Sequence, residues 1–409
     1  MRDEMKKVPR LRFRGFQEDW ELCKLDDLLN EVKRPVKIED HKEYQLVTVK
    51  RRNGGVVSRG NFKGENILVK NYFVLKKNDY LISKRQVVHG ANGIVPENMD
   101  GAVVSNEYLV SVGNESIKTD YLTIISQLPQ MYKLFFLSSY GIDIEKLVFN
   151  VEDWKKRTML VPNIDEQVKI ASFFKIIDDT ITLHQRKLDQ LKELKKAYLQ
   201  VMFPVKDERA PKLRFADFEG EWEQCKLEDY ATYRRGSFPQ PYGNKKWYDG
   251  ENAMPFVQVI DVTEQLSLVK DTKQKISKLA QSKSVFVSAG KVVVTLQGSI
   301  GRVAITQYNS YIDRTLLVFE SYEKETDEYF WAYTIQQKFE IEKRKAPGGT
   351  IKTITKEALS SFEVNFPEYE EQQKNGNFLK NLDNILTLDQ KKLDQLKSLK
   401  KSYLQNMFI

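Results

Sequence analysis

The sequence predicts an α+β chain: two pseudo-symmetric, strand-rich domains separated by two long antiparallel coiled-coil helices. Three observations carry that expectation. PRLRFRGFQEDWELCKLDD at 9–27 returns as PKLRFADFEGEWEQCKLED at 211–229, with Pro, Leu, Arg, Phe, Trp, Cys, Lys and Leu in step. RKLDQLKELKKAYLQVMF at 186–203 returns as KKLDQLKSLKKSYLQNMF at 391–408. The inserts between these repeats, roughly 29–150 and 231–353, barely align, so one scaffold presents two different surfaces.

A chain of 409 residues accommodates two domains of about 150 residues and connecting helices. The boundaries follow the repeats: a first domain at 1–160, a central helix at 161–204, a second domain at 205–365 and a distal helix at 366–409. A net charge of +8 and a pI near 9.0 favour a polyanionic partner, although lysine-rich proteins without one are common. No apolar run reaches about 18 residues, and MRDEMKKVPR at the start lacks the hydrophobic centre of a signal peptide. The expectation is a cytoplasmic chain without membrane contact. Cys23 and Cys225 are copies of one another, each expected to fill the same apolar niche in its own half rather than to form a disulfide or hold a metal.

The first insert reads as short strands at EYQLVTVKR, NILVKNYFVL, YLISK and GAVVSNEYLVSV, punctuated by Gly and Asn. The second reads as strands at MPFVQVIDV, KVVVTL, GRVAIT and TLLVFES, with helices at TDEYFWAYTIQQKFEIEKR and around KISKLAQ. Both follow one order: a strand pair, a Gly-containing loop, further strands and a helix.

After each insert a proline (Pro162, Pro367) precedes a helix opening with carboxylates, IDEQ at 164–167 and YEEQ at 369–372, which suit the positive end of a helix. Counting in sevens aligns Ile170, Ile177, His184, Leu191 and Tyr198 on one seam position and Phe174, Ile181, Leu188, Lys195 and Met202 on the other. The copy aligns Asn375, Leu382, Asp389, Leu396 and Tyr403 with Leu379, Leu386, Leu393, Lys400 and Met407. Mostly apolar seams over several heptads predict a coiled coil; the plainer alternative is two amphipathic helices, each packed on its own domain. A helix of about 38 residues is roughly 57 Å long, so parallel helices would force the second domain to span that length. Antiparallel helices avoid this and bring the C-terminus beside the PRLRF segment. His184 and Asp389 hold equivalent places mid-helix, where a charged contact would fix register and a solvated seam defect is the simpler expectation.

This frame resembles the specificity (S) subunit of type I restriction-modification enzymes. The resemblance rests on LRFRGFQEDWELCKLDDL and its copy, the two KLDQLK helices, the DEQ and EEQ openings after proline, and KVVVTLQGSIGRVAIT in the second insert. It covers essentially the whole chain. In the first insert KKNDYLISKRQVVHGANGIVPE stands where that last segment would be, a departure that leaves its loop roles open. The resemblance implies that the inserts are target-recognition domains, each reading half of an interrupted double-stranded DNA sequence. The helices then set the spacing and dock two methyltransferase subunits, with restriction subunits joining the complex. S-adenosylmethionine, ATP and Mg belong to those partners, and this chain binds no cofactor and performs no chemistry. The residues agree, because the chain has no [DNS]-P-P-[FY] methyltransferase sequence and no G-x-x-x-x-G-K-[ST] loop. His41, His89 and His184 lack metal-ligand spacing.

Sequence readout needs hydrogen-bonding side chains at loops, flanked by cations for phosphates. KRRNGGVVSRG at 50–60 supplies Lys50, Arg51, Arg52, Asn53 and Arg59; SKRQVVHGANG at 83–93 supplies Lys84, Arg85, Gln86, His89 and Asn92. RNGG is equally a good hairpin turn with solvated charges. In the second insert RRGSFPQPYGNKKWYDG at 234–250 offers Arg234, Arg235, Tyr242, Lys245, Lys246 and Trp247, although aromatic loops frequently pack on their own domain. LQGSIGR at 296–302 offers Gln297, Ser299 and Arg302, and RKAPGGTIK at 344–352 offers Arg344, Lys345, Thr350 and Lys352. On the helices, Lys192, Lys195, Lys196, Lys397, Lys400 and Lys401 either follow phosphates or are solvated, while Tyr198, Leu199, Tyr403 and Leu404 are the candidates for a partner subunit. The competing readings are a coiled-coil adaptor that assembles protein partners without reading DNA, and a self-sufficient nuclease or methyltransferase, which the absent motifs disfavour.

Overall fold

The computed structural model describes residues 8–205, 208–345, 354 and 356–409. The chain divides into two units, one comprising residues up to His184 with Lys392–Ile409, the other Gln185–Lys391. Each long helix therefore contributes one part to each unit.

In the first unit the frame strand Glu21–Lys24 pairs antiparallel with Thr158–Val161, placing Cys23 opposite Met159. A four-stranded antiparallel sheet runs in the order Leu29–Glu31, Tyr108–Gly113, Tyr80–Ser83, Asn92–Ile94. A five-stranded sheet runs Pro35–Lys37, Asn71–Val74, Val103–Ser105, Glu43–Val49, Val56–Lys63, with a parallel pairing of Leu46 and Val103. The second unit repeats the plan. Glu223–Lys226 pairs with Glu363–Phe366, and a four-stranded sheet runs Ala231–Arg235, Leu316–Tyr322, Val292–Thr295, Val303–Ile305. Another sheet runs Gln274–Ile276, Met254–Val257, Ser310–Ile312, Val285–Val287.

Tyr80–Ser83 and Val292–Thr295 are buried at every residue, which explains why both read as unbroken apolar runs rather than alternating ones. The helical pattern of the second insert forms Glu328–Lys345, and its buried Phe330, Trp331, Ile335 and Phe339 face the sheet core. The first insert ends its strands with two helices, Thr119–Ile125 and Pro129–Leu137, where the shared order of the inserts predicts one helix without placing it.

The long helices are Ile164–Val201 and Tyr369–Asn406. None of the twenty seam residues is exposed. In the first unit Phe173 meets Tyr403 edge-on at 4.9 Å and Lys400 Nζ lies 2.6 Å from Asp178. In the second, Tyr198 meets Phe378 edge-on at 4.9 Å and Lys195 Nζ lies 2.5 Å from Asp383. These are the same two contacts with the helices exchanged, and within each unit the helices are antiparallel. Asp389 takes Lys187 as its partner, at 2.9 Å.

The frame repeats lock onto the helix openings. Arg12 grips Glu166 with Nε and Nη2 at 2.7 and 2.8 Å; Arg214 grips Glu371 at 2.8 and 2.7 Å. Both carboxylates are 1% exposed, so each charge depends on its bidentate partner for solvation. The next residue pins the insert: Gln167 donates to Ser116 O and accepts from Lys118 N, and Gln372 accepts from Asp327 N. Trp20 packs on Phe408 as Trp222 packs on Phe203. Both cysteines are free, half-buried and at the same place in the frame strand; burial raises each thiol pKa, which makes it a poor nucleophile.

Candidate nucleic-acid interface

In the first unit the two stretches singled out in the sequence form one surface. Lys50–Gly55 closes the hairpin between Glu43–Val49 and Val56–Lys63, with Arg52 and Asn53 both at positive φ. The segment 84–91 joins Tyr80–Ser83 to Asn92–Ile94. Arg52 N donates to His89 O at 2.7 Å and Asn53 N to Gly90 O at 3.0 Å, zipping the loops together. Glycine suits position 90 because its φ is +75°, in the left-handed region, and a Cβ there would also stand 2.7 Å from Asn53 Oδ1 and 3.0 Å from Asn53 N.

Around this junction lies a cavity of about 410 Å³ lined by Arg51, Arg52, Asn53, His89, Gln127 and Glu145, among others. Arg51 donates from Nε to Gln86 Oε1 at 2.5 Å and from Nη2 to Glu145 Oε2 at 2.9 Å. His89 Nε2 lies 3.6 Å from the same carboxylate oxygen and has no hydrogen-bond partner among the described residues. Glu145, on the turn Ile144–Lys146, is the member that sequence reasoning missed. It lies 94 residues from Arg51, and no local pattern signals it. Lys50, Arg52 and Arg59 are exposed, and among the described residues no carboxylate pairs with them. Lys84 and Arg85 are drawn away to Asn106 O and Glu107. Asn92 is a correction: it is 3% exposed in a sheet strand opposite Ile82, so strand pairing places it in the interior.

In the second unit the loop 296–302 joins Val292–Thr295 to Val303–Ile305 and is thus the counterpart of 84–91. It exposes Ser299 and half-buries Gln297, while Arg302 is held by Val262 O at 3.3 Å and Glu264 at 3.5 Å. From 234–250, Arg234 pairs with Glu320 at 2.8 Å and Arg235 donates to Arg314 O. Tyr242 lies under the Arg314 guanidinium at 5.5 Å and accepts from Gln258 Nε2 at 2.9 Å. Burial, with Asp313 nearby, pushes its phenol up to about 12, so it stays a neutral donor at physiological pH. Lys245 and Lys246 are exposed, the latter over the Trp247 ring at 4.3 Å. Trp247 is the second correction: it is 4% exposed and forms a small core with Phe238, Phe256 and Ile276. Arg344, Lys345, Thr350 and Lys352 lie outside the described side chains.

On the helices the four candidate partner residues face inward. Tyr198 and Leu199 pack against the second unit's core, Tyr403 and Leu404 against the first's. Among the apolar residues that do face solvent, two recur in both helices: Leu183 and its copy Leu388, 68% and 66% exposed, and Leu194 and its copy Leu399, 44% and 45%; Val168, Ile176 and Ile385 are exposed without an exposed apolar copy. Each unit carries one member of each pair. Among the described residues no group of three His, Cys, Asp or Glu is placed to hold a metal, and no helix is long and apolar enough to cross a membrane.

Comparison with known proteins gives a consistent result. The model of the type I restriction modification DNA specificity domain matches twice, at 17–193 and 219–398. A putative type I restriction enzyme specificity subunit from Methanocaldococcus jannaschii is 23% identical over 261 residues, spanning 59% of this chain and 56% of that protein, so the chain spans little more than half the length of this relative. The S subunit of a type I restriction-modification system from M. genitalium superposes with a TM-score of 0.61 at 13% identity, covering 98% of this chain and 99% of that one. A chain solved in a study of complex assembly and conformational transition of a type I R-M system gives 0.54 at 16% identity, covering 95% and 97%. At such identities the likeness concerns the fold.

Proposed function

Because the chain belongs to the type I restriction modification DNA specificity family, we propose that it is the non-catalytic subunit giving such a complex its sequence preference. The first domain (1–160) and second domain (205–365) each read one half of a bipartite, asymmetric duplex target. The helices (161–204 and 366–409) set the spacer. Two methyltransferase subunits dock on them and restriction subunits join through the complex; S-adenosylmethionine, ATP and Mg work in those partners, in the cytoplasm where the DNA is. The observation that carries the reading is the frame contact made twice, Arg12 on Glu166 and Arg214 on Glu371, around inserts with different loops. Two equivalent sockets with unlike loops suit two unlike half-sites.

Phosphates fall to Lys50, Arg52 and Arg59 in the first domain and to Arg235, Lys245 and Lys246 in the second, where Arg234, already paired with Glu320, suits a base instead. Bases fall to Arg51, with Gln86 holding its Nε, to Asn53 and His89, and to Tyr242, Gln297, Ser299 and Arg302. The outward leucines, rather than the inward tyrosines, suit the docking of methyltransferase subunits, because the same pair recurs in each unit. The test is to map methylated adenines in DNA exposed to the complex, before and after exchanging residues 231–353 for those of a relative. One half of the target should change. A complex with no sequence preference, as an adaptor would give, or a change in both halves, refutes the reading.

A further inference from the structure

The state of the Arg51 guanidinium separates it from its basic neighbours. A guanidinium presents donor pairs along two useful edges, Nε with Nη2 and Nη1 with Nη2. In Arg51 the first edge is occupied, Nε by Gln86 and Nη2 by Glu145, while the side chain remains 49% exposed. These partners come from two separate segments, and the Arg51 loop is itself zipped to the 84–91 loop through His89 O and Gly90 O. The fork is therefore held through Nε and Nη2, and Nη1, with no hydrogen-bond partner among the described residues, is left for a ligand beside the second N–H of Nη2.

We propose that Arg51 reads a guanine in the half-site of the first domain, using that remaining edge against O6 and N7, with Gln86 and Glu145 as positioning residues. This deepens, and rests on, the assignment of the chain as a DNA specificity subunit. The ligand is a base rather than a phosphate on charge grounds. Glu145 already neutralises Arg51 at 2.9 Å and would repel a phosphate brought to the same group. A guanine edge is an uncharged pair of acceptors and meets no such repulsion. Phosphate contact is left to Lys50, Arg52 and Arg59, which have no carboxylate beside them among the described residues.

The experiment is methylation mapping with the assembled complex carrying wild-type chain, Arg51→Ala, Arg51→Lys or Glu145→Gln. The wild-type target should contain a guanine in one half-site at which Arg51→Ala loses about tenfold to a hundredfold of discrimination, with the other half-site unchanged as an internal control of folding. Arg51→Lys should keep the affinity and lose the discrimination, because an ammonium lacks the fork. Glu145→Gln should weaken discrimination at that same position alone and raise affinity for unrelated DNA, a combination that a merely structural role would not give. If Arg51→Ala weakens all sequences uniformly and lowers the salt slope by about one, the residue holds a phosphate and the assignment is wrong. Unaltered discrimination with a specific wild-type target overturns it while leaving the subunit reading intact; a wild-type complex with no sequence preference overturns both.

Discussion

Replacing Glu166 with Ala removes the carboxylate from a guanidinium that is only 13% exposed. Two charge-assisted bonds at 2.7 and 2.8 Å are lost together, and Arg12 keeps a charge with little water to take their place. Breaking a buried pair from one side costs about 3–5 kcal/mol; partial access of Arg12 to solvent puts the expected value near the lower end, about 3 kcal/mol. That corresponds to roughly a hundredfold increase in the opening constant of the first frame unit. Hydrogen exchange followed by mass spectrometry resolves it, since the two units need not unfold as one. Peptides covering Glu21–Lys24 and Thr158–Val161 should exchange about a hundredfold faster in Glu166→Ala, while Glu223–Lys226 and Glu363–Phe366 stay as in wild type. Glu371→Ala should give the mirror result in milder form, because Arg214 also donates from Nη1 to Gly220 O at 2.6 Å and so retains a partner. The double variant Arg12→Met with Glu166→Leu should return most of the loss, as apolar replacement of a buried pair often does. Exchange altered less than about threefold, or altered equally in both units, would refute the claim that each pair locks its own frame.

Matched insertions of seven residues after Gln190 and after Gln395 keep the heptad seam in phase and add about 10.5 Å to each helix, so the mapped spacer should grow by about three base pairs. An unchanged spacer would count against the helices as its determinant. Asp327 and Glu328 at the start of the helix Glu328–Lys345 have pKa values raised first by burial, with Lys291 only partly compensating at Glu328. A raised carboxyl pKa means that the folded state disfavours the ionised form. Their contribution to stability is fully present below the ordinary carboxylate range and is lost as pH rises through the raised value. Glu328→Gln, which keeps a partner for the Tyr322 hydroxyl, should match wild type in thermal melts near about pH 4 and gain on it toward about pH 7; a pH-independent difference would contradict this.

The periodicity of the helices was legible because it is local: the seam positions recur every seven residues, and all prove to be at least half-buried. The DEQ and EEQ openings were legible only as negative charge near a helix start. Their individual duties, Glu166 on Arg12 and Gln167 on Ser116 and Lys118, depend on chain segments far apart in sequence. The same limit explains the interface. Arg51 and Gln86 announced themselves by residue type beside glycine, but Glu145 joined them through tertiary packing. Asn92 and Trp247 looked equally suitable until strand pairing and a small aromatic core enclosed them. Polar or aromatic character marks a candidate; burial, which decides, is not a local property.

Leu213 N donates to Val201 O at 2.9 Å, while Leu11 N donates to Asn406 O at 2.8 Å. Both are one handshake between a frame repeat and the last turn of a long helix, made across about twelve residues of sequence in one case and nearly the length of the chain in the other, so the frame closes on its helix regardless of how far apart the partners lie along the backbone.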